Sequence, residues 1–229
     1  MPVQLSAKLA PHALDIQTID QQPTRSGFGE GLVIAGDNDE RVVALCADLT
    51  ESTRMELFAR KYPKRFIEAG IAEQNLASVA SGLARAGKIP FIASYAMFSP
   101  GRSWEQVRTT ICYNDMPVKI VGSHAGVSVG PDGATHQAIE DIAITRVLPR
   151  MQVLVPCDMI EARKATIAAA KTSSPTYIRL TREKTPVFTT EGSPFEIGKA
   201  EIFYESPGGA DVALIGCGPL LHNALLGAG

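Results

Sequence analysis

Val42-Val43-Ala44-Leu45-Cys46-Ala47, followed at once by Asp48, decides the fold class of this chain. Every residue before the aspartate is apolar and the run opens on two β-branched side chains, the pattern of a strand covered on both faces. Such a strand belongs to a parallel sheet with helices on each side, and the flanking sequence supplies them. Upstream, Phe28, Gly31, Leu32 and Ala35 recur at helical spacing and Asp37-Asn38 marks the stop. Downstream, a helix beginning near Ala72 places Leu76, Val79, Ala80 and Leu83 on one face and closes at Gly87, where a left-handed cap suits glycine. Further strands are predicted at residues 91–95, 118–121, 153–155 and 176–180. Two more helices separate them, one from Trp104 to residue 113 and one from an Asp158 cap, with Glu161 in capping-box register, to residue 171. The expected architecture is α/β, an open parallel sheet with helices on both faces.

A chain of 229 residues, 45% hydrophobic and 20% charged, is long enough to bury a full core and reads as soluble and globular. A net charge of -2 without any Lys/Arg block excludes a surface that tracks nucleic-acid phosphates. The start lacks a basic stretch before an apolar run, and no apolar run approaches the roughly 20 residues that span a bilayer, so a cytoplasmic, non-membrane protein is expected. Cys46, Cys112, Cys157 and Cys217 show no C-x-x-C spacing, which predicts reduced, mostly buried thiols. Residues 1–24 form a polar leader and 25–190 the main domain. Residues 191–209, rich in Gly, Pro, Ser and Glu, read as a linker with a short strand around 197–204. From 210 to 229 a new unit begins: Asp211 to Gly218 reads as a strand entering a glycine turn, with a helix opening at Pro219. A domain with its own core takes about 50 residues, so this stretch is expected to be the beginning of a truncated α/β domain.

In open parallel sheets, ligands bind outside the carboxyl ends of the strands. The residues following each predicted strand there are polar. Asp48 and Ser52 follow the first; Phe98, Arg102 and Trp104 the second; His124, Asp132 and His136 the third; Arg182 the last. Each has a plain structural alternative. Asp48 suits a helix cap, Phe98 and Trp104 suit a core, and Arg25 and Arg182 suit a solvated surface as well as a phosphate clamp. Two of only four histidines, however, fall in the glycine-punctuated loop after the third strand, where backbone and imidazole can approach a ligand closely. Glu73 has the least comfortable alternative. It lies three residues before Leu76 and so shares the apolar helix face, where a carboxylate is costly without a partner or a proton. His124, Asp132 and His136 are also residue types that bind zinc, which keeps a metal-dependent hydrolase open as a rival.

Three segments carry a resemblance to a known family: Phe66-Ile67-Glu68-Ala69-Gly70-Ile71-Ala72-Glu73-Gln74-Asn75, Gly130-Pro131-Asp132-Gly133-Ala134-Thr135-His136-Gln137, and Ala47-Asp48-Leu49-Thr50-Glu51-Ser52. Over nearly all of residues 25–218 the chain resembles the pyrimidine-binding portion of a transketolase. The resemblance implies thiamin diphosphate as cofactor, with Glu73 as the carboxylate that activates it. It implies Phe98 packed on the aminopyrimidine, Asp48 and Arg102 beside the cofactor, and Trp104 where relatives carry tyrosine. Arg25, Ser52 and Arg182 would bind a sugar phosphate. His124, Asp132 and His136 would contact substrate oxygens, the two histidines as acid–base or oxyanion partners near neutral pH. The family's Gly-Asp-Gly segment for the diphosphate is absent, so no metal ligand is assigned here and Mg2+ or Ca2+ is expected on a partner chain. These features point to one subunit of a split transketolase in the pentose phosphate pathway, self-associating across its pyrimidine domains into a heterotetramer with a diphosphate-binding subunit. A section of a deoxyxylulose-phosphate-synthase-like enzyme and a catalytically silent assembly subunit are the alternatives.

Overall fold

The computed structural model describes residues 8–206 and 208–228; the first seven residues of the predicted leader, Pro207 of the linker and Gly229 lie outside the described residues. In chain order the elements are β1 (Gln21–Gln22), α1 (Thr24–Asn38), β2 (Val42–Cys46), α2 (Glu56–Lys61), β3 (Phe66–Glu68), α3 (Glu73–Arg85) and β4 (Ile89–Tyr95). They continue with α4 (Trp104–Gln106), extended by a π-helical stretch Val107–Cys112, then β5 (Lys119–Ser123), α5 (Asp141–Arg146), β6 (Gln152–Leu154) and α6 (Met159–Ala169). The last are β7 (Thr176–Arg179), β8 (Thr185–Pro186) and α7 (Leu220–Ala228).

Six strands form one sheet in the order β3-β2-β4-β5-β7-β6, and every pairing in it is parallel. The predicted run behaves as expected, with β2 buried at every position. Side chains alternate across a strand, so Val42, Ala44 and Cys46 enter a core with α1, α2 and α6, while Val43, Leu45 and Ala47 enter a second core with α3 and the Trp104–Cys112 helix. The chain leaves β2 toward β3 on one side and returns to β4 on the other. That reversal opens a crevice at the carboxyl ends of β2 and β4, where loops diverge.

Local signals hold at several boundaries. Gly87 takes φ +84° and donates its N–H to Ala84 O, closing the helix that begins at Glu73. The Asp158 carboxylate accepts the Glu161 N–H at 2.9 Å, and the Glu161 carboxylate accepts the Cys157 N–H at 2.6 Å, one residue earlier than a strict capping box. Cys46, Cys112 and Cys157 are buried free thiols and Cys217 is exposed.

Two predicted strands are not formed. Residues 197–204 form no strand beyond an isolated bridge position at Tyr204, and Phe203 and Tyr204 pack on a small cluster. Residues 211–216 are also irregular, and Val212, Leu214 and Ile215 are exposed, the last at 93%. A strand needs a neighbour to bond, and residues 211–216 form no ladder. The helix after Pro219 does form, and Leu225 packs with Ala13, Ile19, Cys157 and Phe188. His222 Nε2 meets Ala13 O at 2.7 Å, and β1 pairs antiparallel with β8. The leader thus carries apolar anchors, Leu9, Ala13, Leu14 and Ile19, among its polar residues. Among the described residues no helix is long and apolar enough to cross a membrane.

Candidate active site

The polar residues singled out in the sequence gather at the carboxyl ends of β2, β4, β5 and β7. Two of them sit on left-handed backbone, Asp48 at φ +56° and His124 at φ +57°. Non-glycine residues reach that region at a cost, and such positions cluster at ligand sites. The first is locked by Glu68, at the end of edge strand β3. Its carboxylate accepts the Asp48 N–H at 2.8 Å, the Thr50 hydroxyl at 2.8 Å and the Gly70 N–H at 2.9 Å. Glu68 thereby ties the loop after β2 to the turn that launches α3, fixing where Glu73 starts.

Glu73 is 2% exposed, in the first turn of α3 on the face shared with Leu76, Ala77 and Ala80. The N-terminal dipole favours a carboxylate there, and burial demands a partner. That partner is Arg102, whose Nη1 lies 3.0 Å from Glu73 Oε2. The Arg102 guanidinium also lies over the Phe98 ring, 4.8 Å from its centroid. The local sequence produces this pairing. Arg102 N–H donates to Phe98 O at 2.9 Å, so the two side chains stand one turn apart. The turn is tight because Gly101 lies against the Met97 carbonyl, which a Cβ at 101 would strike.

His124 forms a second centre. It is 2% exposed, its ring stacks on Tyr95 at 3.9 Å between centroids, and its Nδ1 is 2.8 Å from Ser123 Oγ. Its Nε2 lies 3.2 Å from Arg25 Nη1, which also donates to Ser52 O at 2.8 Å. Arginine only donates, so Nε2 is the acceptor and Nδ1 carries the hydrogen toward Ser123. Burial, reinforced by Arg25, Arg182 and His136, pushes the imidazole down to about 3. In this setting His124 is a neutral imidazole with both ring nitrogens hydrogen-bonded. Burial and the neighbouring guanidinium groups of Arg54 and Arg182 also lower the Arg25 pKa, and its buried Nε has no partner. Guanidinium groups gathered in this way suit an anion.

His136 stands on a short 3-10 turn, Ala134–His136, edge-on to Phe98 at 5.2 Å and to Tyr95 at 6.1 Å. The aromatic set Tyr95, Phe98, His124 and His136 thus joins the two centres. Arg182 lies against Gly130, whose missing Cβ leaves it room. Asp132 is exposed in the same loop. Trp104 departs from the rest: its indole N–H donates to Ile144 O at 2.6 Å and its ring packs against the second core, which gives it a wall-building role. Tyr95, Ser123 and Glu68 were missed in the sequence. Tyr95 was the most accessible of these, since it closes a predicted strand at its carboxyl end.

Residues 20–187 match the family model described as the transketolase pyrimidine-binding domain. A protein of Methanocaldococcus jannaschii whose name proposes a transketolase C-terminal section is 42% identical over 203 residues, covering 88% of this chain and 63% of that protein. A 6-deoxy-6-sulfo-D-fructose transketolase subunit of Clostridium sp. is 35% identical, covering 92% of this chain and 64% of its own length. Human transketolase is 35% identical over 91% of this chain, which spans 33% of that enzyme. Among solved structures, a split-gene transketolase in an inactive β4 tetramer superposes with a TM-score of 0.70 at 45% identity, covering 77% of this chain and 56% of that one. The six-stranded parallel sheet, the crevice at its carboxyl ends and these matches lead to one conclusion: the chain belongs to the transketolase family and carries its pyrimidine-binding domain.

Proposed function

We propose that this chain supplies the pyrimidine-gripping half of a thiamin diphosphate site and, joined to a diphosphate-binding subunit, transfers a two-carbon ketol unit from a ketose phosphate to an aldose phosphate. The observation that carries this reading is Glu73, a buried carboxylate facing an aromatic turn and held, among the described residues, by one half-exposed arginine. The site fits a flat nitrogen heterocycle, with the Phe98 ring as a platform and the Glu73 carboxyl at its edge, sharing a proton with a ring nitrogen. The cofactor would supply a stabilised carbanion equivalent; the protein supplies orientation and charge. Glu73 holds the pyrimidine ring nitrogen, with Asp48 nearby, Trp104 in the supporting wall and Arg102 as the residue it meets in the cofactor-free chain. Arg25, Ser52 and Arg182 receive the sugar phosphate. His124, as a neutral donor–acceptor, and Asp132 bind substrate oxygens, and His136 at the mouth is the candidate proton carrier.

The diphosphate and its Mg2+ or Ca2+ belong on the partner chain in this reading, and the working form is a cytoplasmic heterotetramer built across two pyrimidine domains. The zinc-hydrolase rival is disfavoured because both His124 nitrogens are engaged, one of them by a guanidinium group. The deciding experiment mixes the purified chain with a diphosphate-binding transketolase subunit, thiamin diphosphate and Mg2+, and follows ketol transfer between sugar phosphates. Activity that needs both chains is the expected result. A stable complex that binds cofactor and never turns over would make this an assembly subunit instead.

A further inference from the structure

We propose that Arg102 fills the place of the aminopyrimidine ring in the cofactor-free chain and must be displaced for the cofactor to enter, a device that rests on the reading of Glu73 and Phe98 above. A planar cation lies over the Phe98 ring at 4.8 Å and donates an N–H to Glu73 Oε2 at 3.0 Å. Those are the two contacts, a stacked face and an edge hydrogen bond, that a flat heterocycle needs from the same residues. Two planar groups cannot make them together. The side chain is suited to leaving, since it is 49% exposed and makes one hydrogen bond with its five N–H groups. The backbone is suited to staying, because the Arg102 N–H to Phe98 O bond and the Gly101–Met97 contact fix the turn. The device answers a physical need. Without a ring, Glu73 would be a buried carboxylate lacking any partner, and that is strongly destabilising. Arg102 covers it in the empty state, so the cofactor must compete with the chain's own side chain.

The test compares the wild-type chain with Arg102→Met, Glu73→Gln and the double variant, first alone and then assembled with a diphosphate-binding transketolase subunit. Alone, Arg102→Met is expected to lower the unfolding midpoint, and adding Glu73→Gln is expected to restore it. In the complex, Arg102→Met is expected to tighten thiamin diphosphate binding about five-fold by calorimetry, the factor that roughly 1 kcal/mol of a half-exposed charged pair represents. Unchanged or weaker binding by Arg102→Met overturns the displacement device. Unchanged cofactor affinity in Glu73→Gln alone would instead overturn the reading of the site on which the device rests.

Discussion

Replacing Arg179 with methionine is expected to destabilise the chain more than replacing Tyr177 with phenylalanine, although both side chains bond the same oxygen. Asp141 is 1% exposed, and its Oδ2 accepts the Tyr177 hydroxyl at 2.6 Å and Arg179 Nε at 2.9 Å, while its buried Oδ1 has no partner. Tyr177→Phe removes one hydrogen bond to a charged group, about 1.5–3 kcal/mol. Arg179→Met strips a buried carboxylate of its counter-charge, about 3–5 kcal/mol. At roughly 3 °C per kcal/mol for a chain of this size, the losses are about 4–9 °C and about 9–15 °C in unfolding midpoint. The consequence reaches the site. Arg179 Nη2 lies 3.1 Å from where a Gly126 Cβ would stand, Gly126 N–H bonds Ala138 O at 2.8 Å, and Asp141 starts α5 just beyond. The network therefore pins both ends of the loop carrying Asp132 and His136. Thermal unfolding followed by circular dichroism measures both variants. A shift for Arg179→Met no larger than that for Tyr177→Phe would refute the buried-charge reasoning.

The His124 imidazole is expected to show no titration between pH 5 and 8 by NMR, since its pKa is about 3 in the fold; a midpoint near 6.5 would refute this. Because the unfolded histidine binds its proton near 6.5 and the folded one near 3, stability is expected to fall as pH drops through that window. Lys119 behaves differently: burial pushes its ammonium down to about 7, while Nζ donates to Thr172 O and Oγ1 and to Ser174 O. The unfolded lysine holds its proton to about 10.4, so wild type is expected to gain stability relative to Lys119→Met as pH rises from 7 to 10, and a constant difference in urea unfolding would contradict it.

The legible part of the fold was the part with local causes. Val42–Cys46 declared itself because five apolar residues in a row cannot face water, and Asp158 declared α6 because its carboxylate bonds the backbone three residues on. Strand β3 was hidden: it has three residues, lies at the sheet edge, and exposes Ile67 and Glu68, so no apolar run marks it. Residues 211–216 failed the opposite way, with a strand's pattern and no strand formed. The same division holds at the site. Residue type and position after a strand pointed to Phe98, His124 and Arg182, the apolar helix face shared with Leu76 pointed to Glu73, and the fold brings them to one end of the sheet. What those cues could not carry was partnership across distance: Glu68 gripping Asp48 from 20 residues away, Tyr95 stacking on His124, or Arg25 reaching a histidine 99 positions on. Those contacts exist only once parallel strands are aligned.

The central claim, that Glu73 holds and activates the pyrimidine ring, is tested most directly by the rate at which the bound cofactor's thiazolium proton exchanges with deuterium in the assembled complex. Glu73→Gln is expected to slow that exchange by about 100-fold or more, in the range attributed to a positioned acid–base group, with the complex still folded by circular dichroism. Exchange at the wild-type rate in a folded, cofactor-loaded Glu73→Gln complex would contradict the claim.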